Sequence, residues 1–190
     1  HPLDGEVDGV PGAAEQLQLT DEELSLAGAS HGGEAIHVRT AASMLAKAGI
    51  DVGALECGAH WPYNETASRD LVRQGQAPSA LHNNCSGKHS GFVCLGCGLN
   101  GGAAPLRGFL SGYARPEHAV MREVTSAIQA TTGYDLAGTA RGTDGCSIPT
   151  FAIPLRALAL AFARVATGQG LSTGHATAAK RLRQAVARAP

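Results

Sequence analysis

A thiol, a hydroxyl, an amine and an imidazole lie within five consecutive residues of this chain, Cys85 to His89. If a helix begins directly after Cys85, its thiol lies at the N-terminal cap, and Lys88 and His89 follow on the same side of the first turn. The unpaired amides at a helix N-terminus lower the pKa of a thiol placed there. The spacing therefore predicts that thiol, amine and imidazole converge, although a buried cysteine beside a solvent-facing lysine would also explain it.

Ser30 and His31 lie on a turn bordered by glycines, in the stretch from Gly28 to Glu34. Glycine permits a sharp turn and a close approach of a ligand to the backbone, which suits a reactive hydroxyl. Adjacent side chains diverge, so we do not expect Ser30 and His31 to form a nucleophile and base pair by themselves. A plain turn between two helices explains the same residues.

Three other patterns contain residue types that can bind metals. Cys94 and Cys97 have Cys-x-x-Cys spacing, but they lie far along a predicted helix and no second such pair occurs, so core packing is favoured over a redox or zinc pair. Cys57 and His60 also lie three residues apart, in a stretch that a rigid aromatic loop explains. The segment from Thr143 to Pro149 predicts an Asp-Gly turn.

Capping signals and apolar residues at a spacing of 3.6 residues predict a helix-rich chain around these turns. Strands are less evident, and we see no repeat or linker, which favours one domain. The predicted helices run from a capping box at Thr20–Glu23 to about Ala27, from Glu34 to Ala48, from Asn64 to Arg73, from Ser86 to about Cys97, from Pro116 to Gly133, after Pro154, and from near Ser172; the candidate strands are Gly108–Tyr113 and the stretch before Pro149.

Composition excludes some classes of partner. The net charge of −1 provides no basic surface for a polyanion, so nucleic acid is not an expected partner. No apolar run reaches the roughly 18 residues of a membrane span, and no membrane partner is expected. Five widely spread cysteines, an odd number, favour a reducing compartment, and we expect a cytoplasmic protein.

Four motifs taken in order resemble the asparaginase II family, the Rhizobium-type inducible L-asparaginases. They are ASHGGE (Ala29 to Glu34), CGAHWP (Cys57 to Pro62), LHNNCSGKH (Leu81 to His89) and DGCSIPTFAIPLRALA (Asp144 to Ala159). The resemblance extends from about residue 20 to the end of the chain. The third and fourth motifs are long enough that chance is a poor explanation.

The resemblance implies an amidohydrolase that hydrolyses L-asparagine to L-aspartate and ammonia, works as a homodimer and contains zinc. It implies an α/β (α+β) fold of the serine β-lactamase and glutaminase-like type, which is helix-rich and has a central antiparallel sheet. Residues 1–190 are expected to form a single domain that is the core portion of this fold. It assigns zinc to Cys85, Lys88 and Cys146, the catalytic hydroxyl to Ser30, and substrate contacts to His31, His89 and Asp144. Because imidazole is a commoner zinc ligand than an amine, His89 competes with Lys88 for the metal.

The chain departs from the family pattern at the lysines that act as bases for serine. One family lysine would fall on His1, with its serine before the chain and with Val10–Ala14 in place of an ESGAA stretch, and the other lysine would follow Pro190. Segments of the family fold are thus expected to lie outside this chain, which should expose an apolar surface and a strand edge. The alternative function is a truncated or degenerate, non-catalytic zinc-binding homologue. A dithiol oxidoreductase that uses Cys94 and Cys97 is the least favoured hypothesis.

Overall fold

The structure is a computed structural model, and it describes residues 12–190. Helices dominate this part of the chain, which confirms the helix-rich prediction. The helices are α1 (Ala13–Gln16), α2 (Asp21–Ala27), α3 (Ala35–Lys47), α4 (Glu65–Arg73), α5 (Ser86–Asn100), α6 (Leu106–Leu110), α7 (Ala119–Thr132), α8 (Leu155–Thr167) and α9 (Thr173–Arg188), with short 3-10 helices at Val52–Ala54 and Ala80–His82.

Local capping signals set several of the helix ends, as the sequence predicted. The Thr20 hydroxyl accepts a hydrogen bond from the Glu23 amide at 3.3 Å, and the Glu23 carboxylate accepts one from the Thr20 amide at 2.8 Å, so the capping box is confirmed. The Asn64 side chain accepts from the Ala67 amide at 3.0 Å at the start of α4. At the end of α7, Gly133 adopts a left-handed φ of 65°.

Helix α5 lies at the centre and packs against α1, α2, α3, α6 and α7. Val93 and Cys94 on this helix are buried, and the Cys94 thiol donates to the Met44 carbonyl of α3 at 3.7 Å. Burial raises the pKa of the Cys94 thiol to about 12. Core packing of Cys94 is therefore confirmed, and Cys97 is partly buried against a second hydrophobic cluster, the one that contains Val93.

Two predicted elements differ from the structure. The segment Gly108–Tyr113 is not a strand, because Pro105 begins the short helix α6 and its carbonyl accepts the amides of residues 108 and 109. Helix α7 begins at Ala119 rather than near Pro116, since the His118 imidazole accepts the Val120 amide at 3.1 Å and so provides the cap. A histidine cap is not among the usual capping residues that a sequence pattern reveals.

The strands in the described part of the chain are β1 (Arg141–Thr143) and β2 (Pro149–Phe151), which pair antiparallel with Arg141 opposite Phe151. Asp144 stabilises the turn between them by accepting the amides of Cys146 and Ile148 at 3.0 and 3.1 Å. The predicted Asp-Gly turn is confirmed, and of the predicted antiparallel sheet the described residues contain this one pair of strands. The serine β-lactamase-like arrangement of a larger sheet stays a prediction.

The C-terminal helices expose large apolar side chains. On α8, Leu155 is 80% exposed and Phe162 is 70% exposed, and Leu182 and Val186 are exposed on α9. Over residues 12–190, no helix is both long enough and apolar enough to cross a membrane.

Candidate functional site

The structure brings together Cys85, Lys88 and Cys146, which the resemblance assigned to zinc. Cys85 is the N-terminal cap residue of α5, and Lys88 lies one turn into that helix. Cys146 comes from the turn between β1 and β2, and its thiol lies close enough to the Lys88 amine and the Cys85 thiol to interact electrostatically with both. The two segments are distant in sequence, so only the tertiary fold makes this cluster.

Asp144 holds the cluster from one side. Its Oδ2 atom accepts a hydrogen bond from the Cys146 thiol at 3.3 Å and lies 3.6 Å from the Lys88 Nζ atom. Burial alone would raise the pKa of the Asp144 carboxyl, but hydrogen bonds from Cys146 and Ile148 and the charge of Lys88 outweigh it and lower the pKa. Asp144 is therefore placed to position Lys88 and Cys146.

The protonation states of the cluster follow from the same neighbours. Burial raises the pKa of the Cys146 thiol to about 11, and the nearby Asp144 adds to this rise while Lys88 opposes it. Burial would lower the pKa of the Lys88 amine, but contacts with Cys146, Cys85 and Asp144 outweigh burial and raise it. The cluster therefore carries a protonated Cys146 thiol and an ammonium at neutral pH, and binding a cation would release protons.

The donor set fits zinc in type. Two sulfur atoms and one amine nitrogen are ligands of the kind that zinc accepts, and three protein ligands leave a fourth tetrahedral position open. Among the residues that the structure describes, no three His, Cys, Asp or Glu side chains gather in a group that could hold a metal ion. A metal at this cluster would therefore need the Lys88 amine as a ligand.

Ser30 lies on the exposed loop between α2 and α3 and lines two cavities. The smaller cavity has a volume of about 130 Å³, and Ser30 lines it together with Cys85 and Lys88. The larger has a volume of about 390 Å³, and Ser30 lines it together with His37 and Thr40. The predicted catalytic hydroxyl is thus placed beside two of the three predicted zinc ligands.

His31 is buried, and both of its ring nitrogens are hydrogen-bonded within the chain. Its Nδ1 atom accepts the Gly33 amide at 3.1 Å, so the Nε2 atom carries the proton and donates to the Ser86 hydroxyl at 3.0 Å. Ser86 in turn donates to the Leu81 carbonyl at 2.9 Å. Burial, together with the neighbouring His37, lowers the pKa of His31 to about 4. His31 joins the Ser30 loop to the first turn of α5, and its contact with substrate stays a prediction.

His89 is fully buried beside the cluster. Its Nδ1 atom lies 2.6 Å from the Tyr113 hydroxyl, which accepts the Glu56 amide at 3.0 Å, so Tyr113 donates to His89. Among the described residues, the buried His89 Nε2 atom has no hydrogen-bond partner, and it lies near the backbone of Cys146. Burial and the charge of Lys88 lower the pKa of His89 to about 4. Its roles as a substrate contact or competing ligand stay predictions.

The other two lysines of the chain lie away from Ser30. Lys47 donates to the Glu23 carboxylate at 2.6 Å and to the Gln18 carbonyl at 2.8 Å, and Lys180 is exposed on α9. Of the predicted positions for the missing family motifs, His1 and the first two residues of Val10–Ala14 lie outside the described residues. In the part that the structure describes, Lys88 is the lysine that shares a cavity with Ser30.

Cys57 and His60 are not joined in one site. The Cys57 thiol is buried and donates to the Ala80 carbonyl at 3.7 Å, and burial raises its pKa to about 12. The His60 Nδ1 atom binds the Trp61 carbonyl at 2.7 Å, and the His60 ring stacks on Tyr63 with centroids 4.8 Å apart. These contacts confirm the aromatic loop.

Sequence reasoning missed the pair Glu34 and His37. The Glu34 Oε2 and His37 Nδ1 atoms lie 2.9 Å apart at the start of α3, where the ring of His37 also packs against His31. The Glu-x-x-His spacing at a helix N-terminus was the available signal, because residues three apart face the same side of the first turn.

The chain matches a known protein family over most of its length. The family described as L-asparaginase II matches residues 10–190 of the chain. No curated protein matches it at a significant level. The matched range includes all four motifs and every residue of the cluster around Lys88, so the chain belongs to the L-asparaginase II family.

Proposed function

We propose that this protein is an amidohydrolase that hydrolyses L-asparagine to L-aspartate and ammonia. The observation that carries the proposal is that Ser30 lines the same 130 Å³ cavity as Cys85 and Lys88. A nucleophile and a metal-binding group on one cavity wall can act on the same amide. Membership of the L-asparaginase II family supports the choice of an amide as substrate.

We propose zinc as the cofactor, held by Cys85, Lys88 and Cys146. When bound, zinc supplies a Lewis acid that can polarise or orient a carbonyl group. The chain's own residues prepare the site, because Asp144 accepts from the Cys146 thiol and lies near the Lys88 amine. His31 is buried and lines the larger cavity with Ser30, where it would limit the positions open to substrate, and His89 is buried next to Lys88 in α5.

In the proposed reaction the Ser30 oxygen bonds to the side-chain amide carbon of asparagine as the carbon–nitrogen bond breaks. The serine proton leaves with the nitrogen as ammonia, and water then hydrolyses the resulting ester to release aspartate and restore the hydroxyl. His31 keeps the Ser30 loop against α5 through its bond to Ser86, so the hydroxyl stays beside the cluster.

A serine β-lactamase and glutaminase-like fold, a single domain over residues 1–190 and a homodimer complete the proposal. The exposed Leu155 and Phe162 of α8 support association, since apolar side chains exposed to this degree favour burial against another surface.

One observation favours the alternative, a non-catalytic zinc-binding homologue. Lys47 is bound to Glu23, and neither Lys47 nor Lys180 lines the two cavities beside Ser30, so neither lysine is placed as its base. Lys88 shares the cavity but is held as an ammonium by Asp144 and Cys146. In the alternative, the cluster binds zinc while Ser30 does not react.

Zinc content and ammonia release together test the proposal. We expect about one zinc per chain by mass spectrometry of the metal, lost in Cys85→Ala and in Cys146→Ala. Cys97→Ala is the control, because Cys97 lies on the same helix but packs in the core. Ser30→Ala should retain zinc and release no ammonia from asparagine. Zinc binding without ammonia release by the unchanged protein would favour the alternative, and retention of zinc in both cysteine variants would refute the assigned ligands.

A further inference from the structure

The loop of residues 57–61 has no part in the proposed function so far, although it is bonded to the segment that joins the two halves of the site. That segment is the dipeptide Asn83–Asn84, which directly precedes Cys85 and also bonds to the loop that carries Ser30. Cys85 and Ser30 line one cavity of about 130 Å³. Whatever fixes this dipeptide therefore also fixes the separation of the hydroxyl and the thiol.

The Asn83 side chain joins the 57–61 loop to the start of α5. Its Nδ2 atom donates to the carbonyls of Cys57 and Gly58 at 2.8 and 3.2 Å, and its Oδ1 atom accepts the Cys85 amide at 2.8 Å. These backbone partners establish which end of the carboxamide is the oxygen. Asn83 is 3% exposed, so a side chain without both donor and acceptor would leave buried backbone groups unpaired.

Asn83 also explains why the Cys85 thiol is free to line the cavity. A residue at the N-terminal cap usually accepts a first-turn amide with its own side chain. Within the described chain, Cys85 makes no such bond, and it has φ −104° and ψ 9°. The turn is stabilised by Asn83 instead, because its backbone carbonyl accepts the Ser86 amide at 2.9 Å while its side chain holds the Cys85 amide.

The His60 ring holds the preceding peptide group. Its Nδ1 atom lies 2.7 Å from the Trp61 carbonyl and so carries the ring proton, and its Nε2 atom accepts the Asn84 amide at 3.0 Å. The Asn84 carboxamide lies 3.1 Å from the same Nε2 atom, and this tautomer requires its NH2 group to face the ring. The 57–61 loop thus holds the dipeptide through two side chains, one from each partner.

One peptide group connects these bonds to Ser30. The peptide between Asn84 and Cys85 donates its amide to Asn83 and accepts the His31 amide on its carbonyl at 3.2 Å. His31 directly follows Ser30 in the chain. Because a peptide group is planar, its amide and carbonyl move together, and rotation of this group would break the bond to the Ser30 loop.

We propose that Asn83 and His60 are positioning residues, which together fix the peptide between Asn84 and Cys85 and so set the separation of Ser30 from Cys85. This inference rests on the proposed function and gives the 57–61 loop a part in it. Neither side chain lines the two cavities beside Ser30. Both residues therefore act through the peptide group and not on substrate.

The chain contains a matched control for each residue. His118 has the same bonding pattern as His60, since its Nδ1 atom accepts the Val120 amide at 3.1 Å and its Nε2 atom lies 2.7 Å from the Phe109 carbonyl. Asn100 is buried at the far end of α5, where its Nδ2 atom donates to the Ala104 carbonyl at 2.9 Å. His118→Phe and Asn100→Ala measure the general cost of losing such bonds.

The first measurement is hydrogen exchange of backbone amides in the full chain, followed by NMR without added metal. The His31 amide bonds to neither proposed residue, so its exchange reports the position of the peptide group. We expect it to exchange about tenfold faster, relative to the core amide of Val93, in Asn83→Ala and in His60→Phe, as for one lost hydrogen bond. The controls should leave this ratio unchanged. His60→Gln, which supplies an acceptor at about the reach of Nε2, should restore protection.

The second measurement tests the consequence for the site. Cobalt(II), titrated as a coloured substitute for zinc, reports the affinity of the thiol ligands by absorption. Groups that orient metal ligands typically contribute 10- to 100-fold to affinity, so Asn83→Ala should bind cobalt about tenfold or more weakly than Asn100→Ala. Asn83→Ser, whose hydroxyl can still accept the Cys85 amide, should lie between them. For ammonia release, kcat should fall by about tenfold or more in Asn83→Ala and His60→Phe with KM nearly unchanged.

The exchange measurement decides the inference separately from the proposed function. Faster exchange of the His31 amide in Asn83→Ala and His60→Phe, and not in the controls, supports it even if the unchanged protein binds no cobalt and releases no ammonia; the proposed function then fails alone. The same His31 exchange ratio in His60→Phe and His118→Phe would overturn the inference. A protein that releases ammonia with the same kcat in His60→Phe as in His118→Phe would also overturn it.

Discussion

Replacement of Gly87 by alanine should separate α5 from α2 at the point where the predicted site is built. Gly87 is the second residue of α5, and a Cβ atom added there would lie 2.5 Å from the Leu26 carbonyl oxygen and 2.6 Å from the Leu26 Cγ atom. The oxygen belongs to the backbone of α2, so a change of side-chain rotamer cannot relieve the contact. The two helices must move apart, and α2 leads directly into the Ser30 loop.

The magnitude follows from two opposing effects. Alanine is favoured over glycine within a helix by about 1 kcal/mol at most. Forcing extra volume into a packed contact costs about 1 to 3 kcal/mol, and a backbone obstacle places Gly87→Ala near the upper end of that range. We therefore expect the free energy of unfolding to fall by about 1 to 2 kcal/mol, the difference between these effects.

Gly174→Ala is the matched control, because Gly174 is the second residue of α9 and an added Cβ atom there would meet no atom within 4 Å. Urea denaturation followed by circular dichroism measures both variants. Gly174→Ala should be as stable as the unchanged protein or slightly more so. Ammonia release in Gly87→Ala should fall by about tenfold or more, since small displacements of reacting groups have large effects on rate. A Gly87→Ala protein as stable as the control would refute the close approach of α2 and α5.

Three further predictions concern buried hydrogen bonds. Tyr113→Phe removes the hydroxyl that accepts the Glu56 amide and donates to His89, and unfolding in urea should show a loss of about 2 to 3 kcal/mol; an unchanged midpoint would contradict that network. Lys47→Met leaves the Glu23 carboxylate, which is 2% exposed, without its cation, and should cost about 1.5 to 3 kcal/mol while zinc content stays the same. Burial would raise the pKa of Glu23, but hydrogen bonds from Lys47, Thr20 and Ser43 outweigh it and lower the pKa below its ordinary value of 4.5, so this stabilisation is complete above pH 4.5 and is lost as the pH falls through the lowered value. Urea midpoints at pH 7 and pH 3 should therefore differ less in Lys47→Met than in the unchanged protein, and an equal difference would refute the assignment to Glu23.

Local signals in the sequence predicted most helix positions, because a helix end depends on residues within one turn. Thr20 with Glu23, and Asn64, are caps of this kind, and both were predicted and observed. The failures at Gly108–Tyr113 and at the start of α7 arose where Pro105 and His118 took the capping role. For the site, the resemblance of four ordered motifs to a known family was the only ground for predicting that Cys85 and Cys146 approach each other. The residue patterns around these two cysteines were equally consistent with core packing and with a plain turn.

The sequence by itself determined where most helices begin and end, that an Asp-Gly turn carries Cys146, and that the chain resembles a family of amidohydrolases. Only the tertiary structure decided which polar groups meet. The approach of Cys146 to Lys88 is set by where the β1–β2 turn lies against α5. The bond of His31 to Ser86 and the cavity shared by Ser30 and His37 are set by how α2, α3 and α5 pack. The physical reason is range: a cap or a turn is stabilised by neighbours a few residues away, whereas these contacts form only when buried helix faces close over one another.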